Sequence, residues 1–246
     1  MDIILYNILV GFCALLLGYI FGSIPNGVLV GKIFYHSDPR EAGSKNSGGT
    51  NVGRLYGKKA GVIVILLDML KSMVPTVIVW SVLKFSGLND LFINSFGEGI
   101  WDNGVFFTYL APMGVAIGHC YPVFSKFKGG KTVAVFCGFG ILASWFLLLI
   151  GAATFFITLK IKKYVSLSSI MLCIVVSLFS WAIFGLNFVI PEAYQNILMN
   201  GNGNFLLSGW ELATAISFIG ILSIIRHHAN IARLVKGEER KISWMK

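Results

Sequence analysis

Long apolar runs alternate with short basic loops along this chain, and that alternation fixes the class of fold before any motif is considered. Residues 3–24, 60–83, 166–190 and 210–225 are apolar runs close to or above the length that crosses a bilayer as a helix, about 20 residues. With 56% of its 246 residues hydrophobic and only 13% charged, the chain reads as an all-α polytopic membrane protein and not as a soluble domain. Met1-Asp2 places no basic segment ahead of the first run, so a cleaved signal peptide is not expected. Cys13, Cys120, Cys137 and Cys173 lie in or beside apolar runs without metal-ligand spacing. They read as small buried hydrophobes, and neither a metal site nor a cofactor is expected.

The net charge of +9 reads as topology and not as nucleic-acid binding. Basic residues crowd into loop 35–59 (Arg40, Lys45, Arg54, Lys58, Lys59), loop 119–131 (Lys126, Lys128, Lys131), the connection at 160–163 and the tail from Arg226. The connection 84–103 has a single Lys84 beside Asp90, Glu98 and Asp102, and 191–209 has no basic residue. Basic loops stay on the cytoplasmic side, so the N-terminus is expected outside and the C-terminus inside. Both flanks of 132–159 are then cytoplasmic, and the chain must cross an even number of times between them. Its 28 residues make about 42 Å of helix, enough for a hairpin of two short helices turning near Ala143–Trp145. With a shorter segment at 104–118, the count is about seven membrane segments in a single domain over residues 1–246. The expected setting is a multi-pass plasma-membrane protein in direct contact with the lipid bilayer.

Three polar clusters break this pattern. From Gly43 to Arg54 the chain reads G-S-K-N-S-G-G-T-N-V-G-R. Its glycines permit sharp turns and close approach to a ligand, and successive N–H groups in such a stretch can cradle an anion. Ser44, Asn46, Thr50 and Asn51 add neutral donors and acceptors, and Lys45 and Arg54 add positive charge. The plainer alternative is a flexible polar linker. The second cluster, Lys128-Gly129-Gly130-Lys131-Thr132, opens an apolar helix, where free N–H groups and the helix dipole favour an anion. It lacks P-loop spacing, and a positive-inside flank is the competing account. The third is Arg226, His227, His228, Asn230 and Arg233 at the end of the last run, for which simple contact with anionic headgroups is the plain alternative. Asp68 and Lys71, three residues apart inside a span, read as a structural ion pair between helices, with a functional role as the alternative. His119 reads as a structural donor, with a general base as the alternative.

Three motifs, in order, give a resemblance. They are S-I-P-N-G followed by D-P-R-E-A-G-S-K-N-S-G-G-T-N-V-G-R, then G-H-C-Y-P-V-F-S-K-F-K-G-G-K-T-V-A, then R-H-H-A-N-I-A-R-L-V-K-G-E-E. With L-D-M-L-K-S-M-V-P at 67–75, they make the sequence resemble the PlsY family, bacterial membrane acyl-phosphate:glycerol-3-phosphate acyltransferases. The resemblance implies transfer of a fatty acyl group from acyl phosphate to the 1-hydroxyl of glycerol 3-phosphate, giving lysophosphatidic acid and phosphate. It also implies seven membrane segments with the N-terminus outside. Ser44, Arg54, Lys131, His227 and Asn230 match the residues that hold the two phosphate-bearing substrates. Gly43, Asn46, Thr50 and Asn51 match the first loop, Lys128, Gly129 and Gly130 the second, and Glu239 the acidic residue of the third. Lys45 and Gly49 replace the usual Gly and Ala of the first motif, His228 a common Arg, and Ser72 a common Gly. The connections 84–103 and 185–209 are longer than usual. No cofactor, nucleic acid or obligatory protein partner is implied. Outside the resemblance, a transporter for a phosphorylated solute and a non-catalytic membrane scaffold are the competing classes.

Overall fold

The computed structural model describes residues 3–86 and 106–242, and every described regular element is helical. Asp90, Glu98 and Asp102, which carry much of the charge argument for 84–103, lie outside the described residues. The helices are α1 (Ile3–Gly22), α2 (Asn26–Tyr35), α3 (Gly49–Tyr56), α4 (Lys58–Phe85), α5 (Leu110–Cys120), α6 (Val133–Ala143), α7 (Trp145–Lys162), α8 (Val165–Leu186), α9 (Trp210–Arg226) and α10 (His228–Val235). Among them, the stretch Leu5–Tyr35 that holds α1 and α2, together with α4, α7 and α8, is long and apolar enough for four membrane crossings, and the bent pair α9–α10 makes a fifth candidate. α5 and α6, at 11 residues each, fall short of a full crossing. Contacts group the chain into two compact units, Met1–Phe139 and Gly140–Lys246.

In the first unit α1 packs most extensively on α5, and the seam is glycine against backbone. A Cβ on Gly18, Gly22, Gly114 or Gly118 would run into a carbonyl oxygen of the facing helix, namely Ala111, Val115, Leu15 or Tyr19 respectively. Both helices thus carry a Gly-x-x-x-Gly stripe, which brings backbones together where lipid offers no hydrophobic drive for association. Ala14, Val79, Leu83, Phe107 and Ala111 close the apolar core where α1, α4 and α5 meet.

The chain breaks at Pro25, as its inability to donate an N–H requires. The carbonyls of Gly22 and Ile24, released from helical bonding, each accept a hydrogen bond from Lys71 Nζ at 3.0 Å. Lys71 is also paired with Asp68 at 3.1 Å, and Asn26 Nδ2 donates to the same Asp68 oxygen at 3.0 Å. The intramembrane ion pair is therefore the staple between α4 and the α1–α2 break, the structural role expected for it.

Loop 35–59 is less open than the sequence suggests, since α3 forms inside it. Val52 and Tyr56, one turn apart, pack with Val30, Ala60 and Val64. α3 crosses α4 at Gly53 and Gly61, where a Cβ on Gly61 would lie 2.7 Å from the Gly53 Cα. Two glycines and one apolar turn are too short a pattern to announce a helix in sequence.

In the second unit α8 packs on α7 and α9. The expected turn near Ala143–Trp145 falls at Ser144, whose Oγ caps α7 by accepting the Leu147 N–H at 3.2 Å and donates to the Leu198 carbonyl at 2.6 Å. The connection after α8 is held by a polar knot in which Ser208 Oγ reaches the Gln195 carbonyl at 2.9 Å and accepts from Asn187 Nδ2 at 2.9 Å.

Candidate active site

The first cradle is built around Asn51, which is buried on the first turn of α3. Its Nδ2 donates to the carbonyls of Pro39 at 2.7 Å, Asn46 at 2.9 Å and Ala42 at 3.2 Å. Its Oδ1 accepts the backbone N–H of Ser44 at 2.8 Å. One carboxamide thereby ties together the whole turn from residue 39 to residue 46, leaving Ser44 exposed at its tip. Asn46 Oδ1 accepts the Gly48 N–H at 2.8 Å, an Asx turn that leads the chain into α3. Thr50 and Arg54, four residues apart, are both exposed. Lys45, standing where the family usually has Gly, adopts a left-handed backbone with φ 54°.

The second cradle wraps His119. α5 ends at Cys120, the chain turns through Val123–Ser125, and Lys126 and Phe127 are left-handed at φ 54° and 57°. Gly130 N–H donates to the His119 carbonyl at 2.9 Å. A Cβ on Gly129 would overlap that carbonyl, and one on Gly130 would overlap the imidazole. The pair is glycine because the loop lies against His119, and the Gly130 N–H is engaged inside the protein and not offered to an anion. His119 is buried, with Nδ1 3.8 Å from Asp68 Oδ1, so its ring continues the Asp68–Lys71 staple. Asn26, Ser47, Lys71 and His119 share the lining of one small opening. Lys131 is half-buried and Lys128 exposed.

One residue that the sequence reading treats only as a topology charge joins these loops. Arg40 Nη1 donates to Ser125 Oγ at 2.7 Å, to the Ser125 carbonyl at 3.1 Å and to the Lys128 carbonyl at 3.4 Å. Its other face is forked on Asp38, at 2.9 Å to Oδ1 and 2.6 Å to Oδ2. The hydrogen bond from Arg40 holds the Asp38 carboxyl below its ordinary range. Arg54, in contrast, is paired with no carboxylate among the described residues.

The third cluster lies in the second unit, and its helix is not continuous. α9 and α10 meet at His227 with a bend of 57°, so the cluster is split between two helices, with Arg226 ending α9 and Asn230 and Arg233 on α10. His227 is buried, and its Nδ1 faces the Ser223 carbonyl at 2.8 Å; a carbonyl only accepts, so that nitrogen carries a proton. Past α10, Gly237 turns the chain with φ 73° and brings Glu239 back onto the helix. Glu239 Oε1 accepts from Asn230 Nδ2 at 2.6 Å and from Ser166 Oγ at 2.8 Å, and Oε2 accepts from Arg233 Nε at 2.7 Å. Burial pushes this carboxyl's pKa up, but the bonds from Asn230, Ser166 and Arg233 outweigh burial and hold it below the ordinary value. Glu239 therefore fixes Asn230 in place.

The structure thus gathers Gly43, Ser44, Asn46, Thr50, Asn51 and Arg54 with Lys128, Gly129, Gly130 and Lys131 in the first unit, and His227, Asn230 and Glu239 in the second. A family model described as glycerol-3-phosphate acyltransferase matches residues 12–237. A glycerol-3-phosphate acyltransferase of Staphylococcus carnosus is 36% identical over 94% of this chain and 97% of its own. One from Staphylococcus aureus strain JH9 is 35% identical over the same shares. Crystal structures of PlsY (YgiH), an integral membrane glycerol 3-phosphate acyltransferase, share the fold. The glycerol 3-phosphate form has a TM-score of 0.69 at 30% identity, covering 95% of this chain and 96% of that one. The lysophosphatidic acid form has a TM-score of 0.67 at 29% identity, covering 95% of each. On sequence, fold and motif order alike, this chain belongs to the family of integral membrane glycerol-3-phosphate acyltransferases.

Proposed function

We propose that the protein transfers a fatty acyl group from acyl phosphate to the 1-hydroxyl of glycerol 3-phosphate, on the cytoplasmic side of a bacterial plasma membrane. The observation that carries this reading is the junction of two polar, cationic loops in one unit. Arg40 of the first is hydrogen-bonded to Ser125 and Lys128 of the second. Both substrates are anions, and such a junction supplies what two phosphates need in order to share a small space.

The chemistry asks little else of the protein. Acyl phosphate is a mixed anhydride, so phosphate is already a stabilised leaving group and no covalent nucleophile is required. The glycerol hydroxyl oxygen attacks the acyl carbonyl carbon, the bond from that carbon to the phosphate oxygen breaks, and phosphate departs with the electron pair. The hydroxyl proton passes to an oxygen of the acyl phosphate itself. Catalysis is then alignment of hydroxyl and carbonyl, with neutralisation of charge that develops on oxygen. Arg54 suits a two-pronged phosphate clamp and Lys131 a point charge. Ser44 and Thr50 supply neutral donors beside them. Asn51, Gly129, Gly130 and Glu239 serve by shaping the loops and holding Asn230. His227 and Asn230 take a share in holding the anionic groups, as the resemblance assigns.

The same reading takes the protein as one acyltransferase domain with about seven membrane segments, needing no obligatory protein partner. Engineered cysteines at Ser86 and Asn202 label from outside intact cells and one at Ser37 does not; the reverse pattern overturns the orientation. The donor is tested with purified protein in detergent and labelled glycerol 3-phosphate. Palmitoyl phosphate supports product formation and palmitoyl-CoA does not. Efficient turnover with palmitoyl-CoA alone contradicts the donor assignment, and solute uptake into sealed vesicles without acylated product returns the transporter reading.

A further inference from the structure

We infer that Arg40 is a positioning residue for the reaction: it holds the loop that carries Lys131 in a backbone conformation the loop does not favour by itself. The inference rests on the acyltransferase reading above. Between Pro122 and Val133 the chain contains three left-handed residues that are not glycine, Lys126 (φ 54°), Phe127 (φ 57°) and Thr132 (φ 61°). L-residues avoid that region because Cβ crowds the following carbonyl, and such geometry persists only where the surroundings impose it.

Within the loop the Phe127 N–H reaches the Pro122 carbonyl at 2.9 Å and the Lys128 N–H the Ser125 carbonyl at 3.2 Å, and two further sets of bonds tie the loop to its surroundings. At one end the Gly130 N–H is fixed to the His119 carbonyl at 2.9 Å. At the other, Arg40 Nη1 reaches the carbonyls of Ser125 and Lys128 and the Ser125 hydroxyl, which itself donates to the Lys128 carbonyl at 3.2 Å. Lys126 and Phe127 lie between Ser125 and Lys128, the two residues that Arg40 holds, and Lys131 follows Gly130 directly. Ser125 is buried, so its carbonyl and hydroxyl depend on protein partners. In this arrangement Asp38 takes the Nε proton and one Nη2 proton of Arg40, while Nη1 faces the second loop. Asp38 aims the guanidinium: with one edge forked on the carboxylate, the remaining nitrogen points along a fixed direction into the second loop.

A planar five-donor group is needed for this and a single ammonium is not enough. Lys at position 40 keeps the charge but cannot bond Asp38, Ser125 and Lys128 together. The test is hydrogen–deuterium exchange on detergent-solubilised full chain, beside acyl-transfer kinetics, for wild type, Arg40→Lys, Arg40→Ala and Ser125→Ala. Arg40→Lys and Arg40→Ala speed exchange across residues 122–132 while α1 and α5 keep wild-type protection. Transfer efficiency falls about ten- to a hundredfold in both, the size expected for lost charge-assisted hydrogen bonds. Ser125→Ala speeds exchange in the same segment to a smaller extent. Wild-type exchange and kinetics for Arg40→Lys overturn the inference and return Arg40 to a topology charge. Equal deprotection of α1, α5 and the loop also overturns it, since Arg40 then supports the unit at large. Absence of acyl transfer by the wild type rejects the acyltransferase reading instead, and leaves the exchange result for Arg40 to stand or fall separately.

Discussion

Asn51 Oδ1 accepts the backbone N–H of Ser44 at 2.8 Å, so the residue that fixes the first polar loop does so from the first turn of the helix that follows it. The same side chain donates to three carbonyls of that loop. In sequence, Asn51 is one polar residue among several in a glycine-rich stretch; in the structure it organises the others.

Asn51→Asp keeps the acceptor and removes the donors, leaving the Pro39 and Asn46 carbonyls without this partner, while the Ala42 carbonyl keeps the Lys45 N–H at 3.1 Å. Each unsatisfied buried group costs roughly 1–3 kcal/mol. The expected outcome is a lower melting temperature in detergent together with lost activity. A variant with wild-type melting and only a raised KM for glycerol 3-phosphate shows Asn51 to be a substrate ligand instead.

Lys45 occupies a left-handed position at φ 54°, where a non-glycine residue costs roughly 1–2 kcal/mol. Lys45→Gly should raise the melting temperature and leave acyl transfer close to wild type. A substantial loss of activity would mean that the Lys45 ammonium, and not its backbone, matters to the site.

Acid should loosen the second unit through Glu239. Its carboxyl lies below the ordinary 4.5, because bonds from Asn230, Ser166 and Arg233 outweigh the effect of burial. A depressed carboxylate contributes stability that is fully present above the unfolded pKa and is lost as pH falls through the folded one. Melting temperature followed from pH 6 down to pH 3 should therefore decline more steeply for wild type than for Glu239→Gln, which lacks the titrating group. Parallel profiles would show that Glu239 contributes nothing to the pH dependence.

How much of this was legible beforehand follows physical lines. Apolar run length and the placement of Lys and Arg are strong local signals, and they located the long helices and the turn at Ser144. The Asp68–Lys71 staple was legible because an ion pair inside a span demands an explanation. Features that depend on two distant segments were not legible. The Gly18/Gly22 and Gly114/Gly118 stripes each look like ordinary small residues until the helices face one another, although their four-residue spacing was a signal available to be read. Gly129 and Gly130 read as anion donors because nothing local says that His119 lies beneath them. Arg40 passed as one more inside charge, since its partners at Ser125 and Lys128 are 85 and 88 residues away. α3 stayed hidden because eight residues with two glycines carry too little periodicity. The bend at His227 had no Pro or Gly to mark it.

Arg54 tests most directly whether the first loop is a phosphate site. Arg54 is exposed on α3 and, unlike Arg40, is paired with no carboxylate among the described residues. The measurement is the separate KM and kcat for glycerol 3-phosphate and for palmitoyl phosphate, with wild type, Arg54→Lys, Arg54→Ala and the nearby control Lys58→Ala. A guanidinium forked on a phosphate cannot be replaced by an ammonium, so Arg54→Lys should lose about ten- to a hundredfold in transfer efficiency, or roughly 1.5–3 kcal/mol. Arg54→Ala should lose more, and Lys58→Ala little. Near wild-type kinetics for Arg54→Lys would contradict the account and leave Arg54 as a charge that only marks the inner face of the membrane.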